Sequence, residues 1–466
     1  MDPGSAAGAS VTAIFHQMYS CPNVRSRETF AYVNLQAMQS FRAPGHVEGA
    51  FALERAMDTL AARLGVDPLE LRRRNLGVRD EHHDRPYSSN QLGACYDQGA
   101  ARFGWASREA RRNAPIGDRM VRSDAEERGI FRSGGGPNAA TARPVGQPQP
   151  PARWVRGFGL AAQSWPAGGG PPAYATVRLN SDASIDVLSG TQDLGTGTRT
   201  VLAQIAADAL GAALSDVRVI LGDTERTPYA GPSWGSMTVA SVGPAVRAAA
   251  EQARRKLLDA ASELLLCPVD DLLTSESVVT SRDGAHSLRF ADITKRLGHV
   301  MISAHGSRGP NPQGVGLTSF GVQFAEVLVD AALGIVRVVR IVAVHDVGRV
   351  INPLLAQSQV EGGILQGLGF ALTEERVIDA VSGLPVNPSL HDYKIPGYAD
   401  APIILTTFID NVDIVANHIG ARGLAEPPII PTAPAIANAV ADALGVEINA
   451  LPLTPWRVLD AVRHST

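Results

Sequence analysis

The chain has 466 residues, 45% of them hydrophobic and 19% charged, with a net charge of −4. Such a length gives two or three domains with a sizeable core, and such a composition excludes a disordered or low-complexity protein. The charge balance excludes a global basic field for nucleic acid. Cys21, Cys95 and Cys267 form no C-x-x-C pair, which argues against an iron–sulfur or zinc site within the chain. No apolar run is long enough to span a membrane. The N-terminal stretch lacks the basic and apolar regions of a signal peptide.

Residues 1–40 make a ragged start, small to Ser10 and then read as a strand with turns over 27–38. Phe41-Arg42-Ala43-Pro44-Gly45 opens a helix, and the helical spacing of Leu53, Met57, Leu60 and Leu64 predicts its buried face. Gly65 stops it. Asp67-Pro68 starts a second helix that runs to about Asn75, with an N-cap followed by proline at the first helical position. The run Arg72-Arg73-Arg74 reads as a solvated face. Residues 106–150 include Gly134-Gly135-Gly136 and a Pro/Gln run; they lack periodicity and read as a linker or insertion.

A second domain begins near Trp154. Residues 174–179 and 184–188 alternate apolar and polar, which predicts a hairpin across Asn180-Ser181-Asp182. Gly190 to Gly197 feeds a helix from about Thr198, with Val201, Leu202, Ile205, Ala209 and Leu210 buried and Gly211 at its end. A glycine-rich turn at a helix N-terminus offers free N–H groups and a favourable dipole to an anion, although most such turns are only turns. Val217, Val219 and Leu221 form a short strand. The turn 231–238 precedes a long helix over 239–265, and Ser236 fits a ligand contact or an N-cap equally well.

Residues 318–329 and 335–344 read as a long hairpin. His345-Asp346 reads as a hydrogen-bonded pair at the strand end. On the following helix, 354–370, Gln359 and Gln366 share a face with Gly362, Gly363 and Gly367. Amides there suit a neutral heterocycle edge, and small-residue helix packing explains the same pattern. Residues 403–409 form a strand, 431–444 a helix, and Thr454-Pro455 caps a last short helix.

The stretch Gly420-Ala421-Arg422-Gly423-Leu424-Ala425-Glu426-Pro427-Pro428 carries the clearest chemistry. Its glycines permit close approach of backbone to a ligand. Glu426 follows an apolar pair and precedes two prolines. A carboxylate in apolar surroundings gains proton affinity and becomes a useful general base near neutral pH. On these residues alone, a loop glutamate before a helix is the competing reading.

This stretch resembles the catalytic-glutamate loop of the xanthine dehydrogenase/aldehyde oxidase family, in its large molybdopterin-binding subunit. Phe41–Gly45, the 190–197 turn and the 359–369 helix segment resemble three further family motifs in the same order. The resemblance implies that Glu426 is the catalytic base. It implies that Arg42, Asp193, Leu194, Gly195, Thr196, Gly197, Ser236, Met237, Gln359, Gln366, Arg422, Gly423, Leu424 and Ala425 face the cofactor. That cofactor is molybdopterin, with a cytosine dinucleotide form as one option, and its pterin holds molybdenum without a direct protein ligand. Thr196 stands where many relatives carry glutamine, and it offers fewer contacts than an amide.

The implied fold is α+β: two elongated mixed domains, the first incomplete, with boundaries at 1–110, a linker at 111–152 and a second domain at 153–466. The implied reaction is hydroxylation of an aldehyde, or of an N-heterocycle such as a purine, with water-derived oxygen. The implied partners are an iron–sulfur subunit and an FAD subunit on separate chains. The family's large subunit also has an N-terminal region with a G-G-G-F-G motif that is not found here, so an N-terminal partner is expected to complete the site. The alternative is a truncated, non-catalytic remnant or interaction subunit of the same fold that lacks cofactor. The expected compartment is cytoplasmic, or periplasmic through a signal on a partner subunit.

Overall fold

A computed structural model describes residues 10–29, 31, 39–112 and 154–464. The strand expected over 27–38 lies mostly outside these residues, as does nearly all of the expected linker. In chain order come α1 (His46–Leu64), α2 (Pro68–Arg74), α3 (Leu92–Phe103), β1 (Trp154–Pro166), β2 (Tyr174–Leu179), β3 (Ile185–Ser189), α4 (Thr198–Leu210), β4 (Val217–Leu221) and α5 (Thr238–Leu265). They are followed by β5 (Ile302–Ser307), β6 (Thr318–Asp330), β7 (Ile335–Asp346), α6 (Pro353–Leu372), β8 (Ile403–Phe408), α7 (Thr432–Leu444) and α8 (Pro455–His464). The mixture is the α+β class that the sequence implies.

Two four-stranded sheets organise these elements. The first has the order β8-β7-β6-β1, with β7 and β8 parallel and the other pairs antiparallel. The second has the order β5-β2-β3-β4, with β3 and β4 parallel. Both predicted hairpins are present. The first sheet is covered on both faces. One face buries Phe158, Leu160, Phe320 and Val322 against α1 and α3. The other buries Ala161, Ala325 and Ile341 against α6 and α7. The second sheet packs against α4 and α5.

Local chemistry sets the helix ends. Asp67 accepts from the N–H groups of Leu69 and Glu70, and Gly65 and Gly211 close α1 and α4 in the left-handed conformation. Asn352 caps α6 ahead of Pro353. The strand β1 and the helix α3 have no counterpart in the sequence reading. β1 is buried on both faces along nearly its whole length, so it shows no period-2 alternation to read.

Two expectations about the first helices are corrected. Leu60 and Leu64 are exposed, and α1 instead buries Val47, Ala50, Glu54 and Ala61. The reason is a buried ionic knot. Glu54 accepts from Arg72 Nε at 2.9 Å, from Tyr19 at 2.5 Å and from the Ala162 N–H of β1 at 3.0 Å. Arg72, expected in solvent, is fully buried and also pairs with Asp58 at 2.6 Å. Only Arg73 and Arg74 form the solvated face. Removing one partner leaves an uncompensated buried charge. Arg72→Ala is therefore expected to lower stability by about 3–5 kcal/mol, read as the urea midpoint shift at constant m-value.

Candidate functional site

A cavity of about 850 Å³ opens where the turns before α4 and α5, the start of α6 and the 420–428 loop converge. Every motif-bearing stretch of the sequence reaches it. Arg42, Leu194, Gly195, Thr196 and Ser236 line its wall, as do Gln359, Gln366 and the run from Arg422 to Glu426. Asp193, Gly197 and Met237 adjoin lining residues in the chain but do not line it themselves. Trp165, Trp234, Arg349 and Asn352 also line it, and the sequence reading missed all four. Asn352 with Pro353 reads in sequence only as a helix start, and nothing around Arg349 marks a ligand contact, so only the fold brings the two here.

Glu426 sits in a tug between burial and polar contacts. Ser236 Oγ donates to Glu426 Oε2 at 2.6 Å and accepts from the Glu426 N–H at 2.8 Å. Burial pushes the carboxyl's proton affinity up, while Ser236, the Arg42 charge and the backbone amides of Gly235 and Ala43 pull it back. The net direction is upward. Ser236 and Ala43 both adopt positive φ, 58° and 55°. Such strain in non-glycine residues costs on the order of 1–3 kcal/mol each and gathers at functional sites.

Arg42 ties three elements together. Its Nε donates to the Ala425 carbonyl, one terminal nitrogen donates to Gln366 Oε1 at 3.1 Å, and the other donates to the Gln359 carbonyl at 2.9 Å. Burial lowers its pKa to about 10, with Glu426 pulling upward, so it stays charged at neutral pH. Gln359 thus meets Arg42 through its backbone, leaving its amide on the cavity wall. The glycines of α6 are packing glycines. A Cβ on Gly363 would lie 2.7 Å from Pro428, and one on Gly367 would lie 2.5 Å from Thr432.

The turn before α4 carries its own anion. The Asp193 carboxylate accepts from the N–H groups of Gly195, Gly197 and Arg199 at 3.0, 3.3 and 3.1 Å. These are the donors that the sequence reading offered to a ligand phosphate. What remains open is Gly195, where an added Cβ would meet nothing within 4 Å.

Arg422 is structural in its side chain. Its guanidinium is fully buried, pairs with Asp346, and lies 3.4 Å from Asp413. Asp346 therefore serves Arg422 and the Gln91 N–H, and the expected His345–Asp346 bond does not form. The loop is further held by the Arg422 N–H to Val347 at 2.8 Å and the Gly423 N–H to Ala167 at 3.0 Å. Gly348 adopts φ 69° against the Gly420 carbonyl, a contact that leaves no room for a Cβ.

Residues 139–402 match the family described as the molybdopterin cofactor-binding domain, and residues 2–76 match a second family of the same description. The chain belongs to the molybdopterin cofactor-binding domain family. Its relatives include xanthine dehydrogenase and aldehyde oxidoreductase molybdenum-binding subunits. It is 33% identical over 470 residues to a xanthine dehydrogenase molybdenum-binding subunit from Escherichia coli, covering 98% of this chain and 57% of that one. It is 32% identical over 446 residues to the aldehyde oxidoreductase molybdenum-binding subunit PaoC from the same species, covering 95% and 55%. Quinoline 2-oxidoreductase from Pseudomonas putida 86 superposes with a TM-score of 0.74 at 25% identity, over 92% of this chain and 53% of that one. The chain thus spans a little over half the length of these relatives.

The wall fits a molybdopterin. It combines backbone and amide donors at Gly195, Gln359 and Gln366 with the guanidinium groups of Arg42 and Arg349, a donor set that suits a polar heterocycle and a phosphate. Arg42 and Arg349 line the cavity, and among the described residues neither forms a salt bridge, although the Arg42 charge acts on Glu426. Among the described residues the Arg349 side chain has no partner, which suits a phosphate.

The raised proton affinity of Glu426 has a stability signature. The folded chain holds its proton above the ordinary value of 4.5, where the unfolded chain releases it. This contribution is full below that value and is lost as pH rises through the folded pKa. Glu426→Gln, always neutral, is expected to gain stability on the wild type as pH rises past 4.5, measured by denaturation across pH. A difference that is flat with pH would contradict the raised pKa.

Proposed function

We propose that this chain forms the molybdopterin-facing part of a molybdenum hydroxylase that adds water-derived oxygen to an aldehyde or an N-heterocycle. The observation that carries the reading is Glu426: a half-buried carboxylate with raised proton affinity, fixed on a cavity wall by Ser236 and flanked by Arg42. When bound, the cofactor supplies the metal and the two-electron redox chemistry.

The chain's own residues do the rest. Glu426 is the general base. Ser236 holds Oε2 and leaves the other oxygen to take the proton from the water-derived nucleophile. Arg42 stabilises the carboxylate once the proton has moved on and keeps the loop in place through Ala425. Gln359 and Gln366 present amides to the cofactor edge, Leu194, Gly195 and Thr196 line its approach, and Arg349 holds its phosphate. Leu424 and Ala425 supply the apolar side of the carboxylate's surroundings. Asp193 holds the turn through the Gly195 and Gly197 amides, Met237 continues the Ser236 turn, and the Arg422 side chain anchors the loop to Asp346.

Iron–sulfur and FAD subunits on separate chains, together with an N-terminal region that completes the pocket, are the partners this reading calls for. No helix among the described residues is long and apolar enough to cross a membrane. A cytoplasmic setting is the proposed compartment.

The test is molybdenum content and turnover in the protein purified with its partners. Glu426→Gln is expected to keep its molybdenum and to lose about two to four orders of magnitude in kcat. Unchanged turnover removes Glu426 as the base. Wild-type protein that folds with its partners yet binds no molybdenum points to the remnant reading. Arg349→Ala is expected to lower the cofactor retained through gel filtration several-fold while leaving the melting temperature of the cofactor-free protein unchanged. Full retention would remove the phosphate role.

A further inference from the structure

Beneath the Glu426 loop lies a row of buried polar groups that the reaction does not use. Gln163 of β1, Gly321 of β6 and His345 of β7 are in register across three strands, so they share one face of the sheet. Two residues along β6 on one side, Ser319 Oγ donates to the Gly423 carbonyl at 2.7 Å. Two residues along on the other side, Gln323 Nε2 donates to the Pro428 carbonyl at 2.6 Å. The row therefore lies between the two points that pin the loop, under residues 424–427. Two steps on from Gln163 and His345, Trp165 and Val347 line the cavity itself.

Gln163 and His345 are fully buried. Both polar atoms of the amide and both ring nitrogens lack a hydrogen-bond partner among the described residues. A Cβ on Gly321 would lie 2.5 Å from His345 Nδ1 and 2.9 Å from Gln163 Nε2, so the two nitrogens face each other across the glycine. Burial and the charge of Arg42 push the His345 pKa down to about 3. The ring is neutral, with one donor and one acceptor, and the amide adds both kinds. Such a set matches water, which binds buried polar groups through two to four hydrogen bonds. Arg42, the charged side chain acting on His345 and on Glu426 alike, disfavours a cation here.

We propose that Gln163 and His345 form a buried water site under the loop that carries Glu426, and that this water sets the proton affinity of Glu426 through Arg42 and the loop backbone. Water at this depth adds polarity below a carboxylate whose burial raises its pKa. Replacing its partners with apolar groups removes that polarity, and the pKa rises further. The functional meaning rests on Glu426 acting as the base, but the water itself is observable without cofactor or turnover.

A high-resolution crystal structure of the full chain is the first test. It is expected to show ordered water within hydrogen-bond distance of His345 and the Gln163 amide. A direct Gln163–His345 hydrogen bond with no water between them overturns the proposal. The second test follows the Glu426 carboxyl stretch by infrared spectroscopy across pH, assigned by its loss in Glu426→Gln. Gln163→Met is expected to raise the midpoint by about one pH unit, a tenfold change in proton affinity. His345→Gln keeps a donor and an acceptor and is expected to leave it within a few tenths. An unmoved midpoint in Gln163→Met overturns the coupling, since a merely structural role would alter stability alone. Should Gln163→Met fail to fold, His345→Phe carries the same expectation and the wild-type crystal decides the water. Water present while Glu426→Gln still turns over would remove the base assignment and leave the site.

Discussion

The candidate site depends on a buried arginine. Arg422 carries its charge into a place without solvent, where among the described residues the carboxylates of Asp346 and Asp413 and the carbonyls of Ser89 and Thr318 compensate it. A buried charge of this kind is tolerable only when paired and hydrogen-bonded. Three separate segments must therefore meet at one point: the end of β7, the turn at Asp413 and the Glu426 loop. Once they meet, the backbone ties of the loop to Val347 and Ala167 follow, and Glu426 comes within reach of Ser236, which fixes its carboxylate and its N–H.

The electrostatics at Glu426 are a balance and not an extreme. Burial pushes the carboxyl toward its neutral form, and a close ion pair with Arg42 would push it toward the charged one. Arg42 is instead engaged with Ala425, Gln359 and Gln366, so its charge is felt without a direct bond to the carboxylate. Ser236 supplies the one side-chain hydrogen bond. A base needs an affinity between these limits, because proton transfer is efficient only when the group is both free to accept and willing to release.

The same residues show why glycine-rich motifs are ambiguous. Gly363 and Gly367 look like a surface for a ligand, yet Pro428 and Thr432 occupy the space that their missing side chains leave. The turn before α4 looks like a phosphate cradle, yet Asp193 fills it from within. In each case the sequence shows that something must come close. For α6 the neighbour comes from a segment far along the chain, and for the turn it comes from the turn itself. Arg72 and Leu60 make the converse point: one arginine in a charged run is buried because Glu54 faces it, and one leucine at helical spacing is exposed because that face is not the packed one.

By itself the sequence determined the two hairpins and most helix boundaries, because these rest on periodicity and caps that act locally, and its short motifs carried the family resemblance that implied the α+β class. It also marked Glu426, whose apolar and proline neighbours are adjacent in the chain. Only the tertiary structure decided which marked residues face the cavity, that Arg422 and Asp346 are a buried pair, that Arg349 and Trp234 join the wall, and that Gln163 and His345 lie under the loop. Burial and pairing across strands are properties of long-range contacts. A residue's charge, hydration and proton affinity follow from those contacts and not from its neighbours in sequence.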